Sequence, residues 1–173
     1  FIIDPQFAER YLGTSGLPLR LVVLSPGRLA KLIFPGSLLL TPLEVFNIHL
    51  EVDLAAGDPG IMGAKCSLVN SMSKAFVPRG EAHTLVGGDW NSSTASDEPR
   101  FNPVEGTFAN DRSTVARLAE AAMELFTELH QPHYTRRGTS GGVIVNLSRI
   151  DRIYSNCATC ELMDRRPLVA TVG

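Results

Sequence analysis

The stretch Leu43-Glu-Val-Phe-Asn-Ile-His-Leu50 constrains this chain more than any other. Its period-2 alternation sets Phe46, Ile48 and Leu50 on one face of a strand and Val45, Asn47 and His49 on the other. Two further strands precede it, Leu19 to Leu24 and Lys31 to Phe34, with Ser25-Pro26-Gly27 as the turn between them. A strand with one apolar face has to bury that face against a second layer.

The remaining elements say what that layer is. Gly57-Asp-Pro-Gly60 reads as a loop. Cys66, Val69, Met72 and Phe76 then recur at near-helical spacing, which predicts an amphipathic helix ending before Pro78. His83-Thr-Leu-Val86 reads as a strand that runs into Gly87-Gly88-Asp89-Trp90-Asn91, and a polar loop is expected from Ser92 to about Asn110. Val115, Leu118, Ala119, Ala122, Leu125, Phe126 and Leu129 form the apolar stripe of a helix predicted over 114–129. Asp111 or Ser113 can cap that helix and Pro132 closes it. Two more strands are expected, Gly142 to Asn146 and Arg149 to Ser155, before a polar stretch and the apolar end Leu168 to Val172. Strands outnumber helices, and the helices come singly between them. The 173 residues therefore predict one mixed α/β or α+β layered domain.

Charge and cysteine content narrow the function classes. A net charge of −2 gives no global basic field to draw in nucleic acid. Locally, Arg136, Arg137, Arg149 and Arg152 stand against Asp151 as the single acid between His130 and Asn156, a stretch that either faces phosphates or is simply solvated. The apolar run from Leu29 to Leu50 is cut by Pro35, Gly36 and Pro42 and carries Lys31, Glu44 and His49, so it cannot cross a bilayer as one helix. No secretory leader pattern opens the sequence, and an intracellular location is expected. Three cysteines, Cys66, Cys157 and Cys160, do not make a disulfide framework. Cys157-Ala-Thr-Cys160 has redox or half-zinc-site spacing without the companion ligands, so ordinary reduced thiols are expected.

Three places can carry chemistry. In Gly87-Gly-Asp-Trp-Asn91 an apolar strand delivers the chain to glycines that permit a tight turn or a close backbone approach. If the extended conformation persists, Asp89 and Asn91 share a side opposite Trp90. A carboxylate beside an amide suits phosphoryl chemistry: the acid orients or deprotonates water or ligates Mg²⁺, and the amide binds a phosphate oxygen. The same residues are also common turn formers. His49, at a strand end, can protonate a leaving oxygen, or it can be a hydrogen-bonded strand residue. Asp151, within Ser148-Arg-Ile-Asp-Arg-Ile-Tyr154, is either a surface ion-pair partner or the group that fixes a catalytic imidazole.

In their order, these pieces resemble the endonuclease/exonuclease/phosphatase family, also called DNase I-like. Its members show a strand ending like Asn47-Ile-His49 and, after a helix, a strand ending like Gly88-Asp89-Trp90-Asn91. A segment like His133-Tyr-Thr135 and a strand like Ser148 to Tyr154 follow. The resemblance covers about 19–154, and the last two motifs look most like the endonuclease domains of non-LTR retroelements. It implies a partial four-layer α/β/β/α sandwich, metal-dependent phosphodiester hydrolysis with Mg²⁺ (or Mn²⁺), and nucleic acid as substrate. Asp89 would activate the attacking water near the metal, with Asn91 binding the scissile phosphate; both are expected at the metal. His49 would assist leaving-group departure or phosphate binding, and Asp151 would buttress a second catalytic histidine. Family members also open with a strand carrying Asn and a metal-ligating Glu, and close with Ser-Asp-His. Neither is found here, so a piece of a longer protein is expected, inactive alone and aggregation-prone through an exposed sheet edge and face. The alternatives are a non-catalytic remnant or binding module on the same scaffold, or a phosphoinositide or phospholipid head-group phosphatase.

Overall fold

The computed structural model describes residues 4–7, 9, 17–36, 41–50, 59–77, 80–91, 100–109, 113–129, 134–148 and 150–157. Three strands open the fold: β1 (Arg20–Ser25), β2 (Leu29–Phe34) and β3 (Leu43–His49). Helix α1 (Pro59–Lys74) leads to β4 (His83–Asp89), the hairpin β5 (Arg100–Asn102) and β6 (Thr107–Ala109), and helix α2 (Thr114–Ala122). Strands β7 (Thr127–Glu128), β8 (Arg136–Ser140), β9 (Val143–Ser148) and β10 (Asp151–Ser155) complete it.

A six-stranded sheet runs in the order β1-β2-β3-β4-β10-β7 and a four-stranded sheet in the order β6-β5-β9-β8. In the larger sheet only β3 and β4 pair in parallel, because α1 returns the chain between them; the other pairs are antiparallel. The alternation expected of β3 holds. Phe46, Ile48 and Leu50 are buried, whereas Asn47 and His49 are exposed. Both helices lie over the buried face. Val69 and Met72 of α1 and Val115 and Ala119 of α2 form one apolar cluster with Phe46, Ile48, Leu50, Val86, Trp90 and Tyr154. Phe76, just beyond α1, meets Phe46 edge-on at 5.2 Å and Phe126 at 4.9 Å.

A smaller cluster, Leu32, Phe34 and Leu43, occupies the opposite face, backed by Phe7, Leu19, Val45 and Leu85. The four-stranded sheet contributes to neither cluster. It joins the larger sheet where β9 passes into β10. The described residues thus form a mixed α/β fold with two sheets.

Several boundaries differ from the sequence reading. Gly60, expected in a loop, is the second residue of α1, whose first residue is a proline with φ already suited to a helix. The polar loop expected after Ser92 contains the β5–β6 hairpin, with Gly106 at its turn (φ 65°). The helix predicted to reach Leu129 stops at Ala122. Ser113 caps its start, its side chain accepting from Ala116 N–H at 3.1 Å. Beyond Met123 the backbone finds partners on β10 instead: Thr127 and Glu128 pair with Ser155 and Tyr154, and Leu129 N–H donates to Ile153 O at 2.8 Å. Leu125, counted in the apolar stripe, is 85% exposed. Sheet pairing has overridden helical periodicity there. Arg152, grouped on charge alone with the arginines that either face phosphates or are solvated, is buried and ion-paired to Glu128 at 3.0 Å. Arg149, His133, Cys160 and the apolar end Leu168 to Val172 lie outside the described residues.

Candidate active site

Strand register builds the site. Across the parallel pair His49 stands beside Asp89, and across the antiparallel pair Asp89 stands beside Asp151. Register partners project to the same face, so the three side chains form a row over neighbouring strands, about 10 Å from end to end. The row crowns the face opposite the helices. His49 and Asp151 are exposed and Asp89 is half-buried.

Backbone bonds fix the ends of these strands. His49 N–H donates to Arg28 O at 2.8 Å, Leu50 N–H to Asp89 O at 2.9 Å, and Trp90 N–H to Ile150 O at 2.8 Å. The last bond makes Asp89 and Asp151 a non-hydrogen-bonded pair, the closer of the two antiparallel arrangements. Two carboxylates held opposite one another repel, and a cation arriving between them relieves that repulsion. Indole packing holds the strand from behind. Trp90 is 2% exposed and meets Tyr154 edge-on at 5.4 Å.

The glycine pair divides its work. Gly88 has φ 143°, and a Cβ there would lie 1.9 Å from Ile48 O, so only glycine lets β4 approach β3 this closely. A Cβ on Gly87 would meet its neighbours at ordinary distances, 3.7 Å or more. The chain then turns at Asn91, which has φ 44° in the left-handed region that asparagine tolerates better than most residues. Strand β4 thus ends at Asp89, before the Trp90 through which the extended conformation would have had to persist. Asn91 is brought to the site by hydrogen bonds: its N–H donates to Asp89 Oδ1 at 2.9 Å, and its Nδ2 donates to Leu50 O at 2.6 Å.

Thr135, which residue spacing alone does not single out, completes the frame. Its Oγ1 accepts the N–H groups of Ile150 at 3.0 Å and Asp151 at 3.1 Å, fixing the start of β10. The only prior signal was its place in the motif His133-Tyr-Thr135. The second catalytic histidine that Asp151 would buttress belongs to the closing Ser-Asp-His segment, which this sequence does not contain; the register neighbour of Asp151 is Asp89.

Mg²⁺ takes oxygen ligands and is commonly held by one or two carboxylates with water and substrate phosphate. Asp89, Asp151 and the amide oxygen of Asn91 have that chemistry. Among the described residues, however, no three His, Cys, Asp or Glu side chains converge closely enough to enclose a metal ion. The row therefore offers oxygen ligands without enclosing a metal ion among the described residues.

No family model matches the sequence, and no curated protein matches it. Solved structures do. An AP endonuclease from Archaeoglobus fulgidus is similar with a TM-score of 0.52 at 13% identity, over 80% of this chain and 57% of that one. The endonuclease domain of TRAS1, a telomere-specific non-LTR retrotransposon, gives 0.47 at 11% identity, over 84% and 58%. An endonuclease/exonuclease/phosphatase family protein from Leptotrichia buccalis gives 0.43 at 9% identity, over 81% and 50%. The chain thus spans less than two thirds of each. With its mixed sheet, helices α1 and α2 on one face and the shared architecture of the archaeal enzyme, the chain has the endonuclease/exonuclease/phosphatase, or DNase I-like, fold.

Proposed function

We propose that the protein containing this chain is a metal-dependent phosphodiesterase that cuts nucleic acid, an endonuclease of retroelement type. The observation that carries the reading is the row His49, Asp89, Asp151, set by strand register with Asn91 tied in beside it. The fold shared with an AP endonuclease supports a nucleic-acid substrate, and the motifs around Thr135 and Ser148 to Tyr154 support the retroelement type.

In this reading water attacks phosphorus in line with the departing oxygen: one P–O bond forms and another breaks. The Asp89 carboxylate, its orientation already set by the Asn91 N–H, aligns that water and takes its proton. Asn91 spends one amide hydrogen on Leu50 O and offers the other to a non-bridging phosphate oxygen. His49, one strand over, gives a proton to the leaving oxygen. Asp89 and Asn91, with Asp151 alongside, would hold Mg²⁺ or Mn²⁺, which when bound neutralises charge building on the phosphate. Thr135 positions Asp151 through the backbone.

The alternative is a non-catalytic module on the same scaffold. Plasmid nicking by the chain together with its encoded flanking sequence separates the two. Nicking that requires Mg²⁺ or Mn²⁺ and falls about a thousandfold in Asp89→Ala is expected. Undiminished nicking by that variant overturns the assignment, and no nicking with intact oligonucleotide binding favours the module. A parallel panel of phosphoinositides tests the lipid-phosphatase alternative.

A further inference from the structure

The stretch from Cys157 to Cys160 takes no part in the phosphoryl reading, yet its first thiol has a chemically pointed neighbour. Cys157 Sγ lies 2.8 Å from His83 Nδ1, and both side chains are half-buried. Asn156 clamps the residues on either side of that histidine: its Oδ1 accepts Thr84 N–H at 2.8 Å, and its Nδ2 donates to Ala82 O at 3.0 Å. Its own N–H donates to Thr84 O at 3.1 Å, and His83 N–H donates to Pro42 O at 2.8 Å. On the thiol side, Cys157 N–H donates to Ser155 Oγ at 3.1 Å. Backbone anchors therefore set both partners. The pair sits at the start of β4, roughly 20 Å along the strand from Asp89, and is separate from the row.

We propose that Cys157 is a nucleophilic modification site, a Cys–His dyad with His83 that reacts with peroxide. With His83 neutral and protonated on Nε2, Nδ1 accepts the thiol proton as sulfur attacks. An S–O bond forms and the peroxide O–O bond breaks. Sulfur is oxidised to the sulfenic acid, and the departing hydroxide takes the proton from His83 and leaves as water. Cys66, half-buried on α1 against the apolar cluster, supplies an internal reference thiol.

The test uses the chain together with its encoded flanking sequence and with Cys160→Ser, so that the proteolytic peptide bearing Cys157 holds a single thiol. After exposure to hydrogen peroxide, sulfenic acid is trapped with dimedone and read by mass spectrometry at Cys157 and Cys66. Cys157 is expected to label about tenfold faster than Cys66, and His83→Asn, which keeps a hydrogen-bonding group without a base, to remove that advantage. His83→Phe serves as a second variant, with circular dichroism confirming the fold of each. A Cys157 rate no greater than that of Cys66 overturns the proposal without reference to any variant. So does an advantage that survives in folded His83→Asn or His83→Phe protein.

Discussion

Gly88 and Gly87 are neighbours with opposite tolerances. A side chain at Gly88 drives into the Ile48 carbonyl and also has to adopt φ 143°, whereas Gly87 has room. Gly88→Ala should destabilise the fold by about 3 kcal/mol, and Gly87→Ala by about 1 kcal/mol or less, as denaturant midpoints will show. Asn91 combines a conformational role with a chemical one, and two substitutions separate them. Asn91→Gly keeps φ 44° accessible and removes the amide, so nicking should fall about a hundredfold with stability nearly unchanged. Asn91→Ala should lose both. The parity of β3 was legible in the sequence, because period-2 alternation is local. The left-handed turn at Asn91 and the two bonds of Thr135 were not, since each depends on a backbone partner far away in the chain.

Among the elements, β7 shows where local pattern misleads. The sequence from Thr114 to Leu129 has a continuous helical stripe, yet its last part is taken by β10. Arg152 explains part of that preference: its guanidinium is buried on the helix-covered face and meets Glu128, whose side chain is 26% exposed. Glu128→Ala removes the 3.0 Å ion pair to that cation and should cost about 2 kcal/mol, somewhat below a fully buried pair because solvent reaches the carboxylate. Replacing both partners together, Arg152→Met with Glu128→Leu, should cost less than the single change. A thermal-melt cycle over the four proteins checks this. The strand-rich order and the single helices between strands were legible, and so was the strand delivering Asp89. Pairing between distant stretches was not, and it is pairing that turns separate motifs into a row.

At the scale of the molecule, the face of the larger sheet that carries the row is incompletely covered. Leu21 is 60% exposed and Val23 56% on the edge strand β1, and Ile153 on β10 is 39% exposed; register places all three on the side of His49 and Asp89. An edge strand with apolar side chains pairs readily with other chains. The isolated chain is therefore expected to grow in light scattering at micromolar concentration, and Leu21→Lys with Val23→Lys to slow that growth. A sharp melt of a stable monomer would contradict the expectation. The chain spans 57% of the archaeal enzyme whose architecture it shares.

Strand β10 lies between β4 and β7 although nearly the whole described chain precedes it. During synthesis, β4 with its bare glycines must wait as a sheet border until residues beyond Ser155 clear the ribosome. A product ending before Asp151 would lack the strand that carries the third side chain of the row and would leave β4 an open template for misassembly.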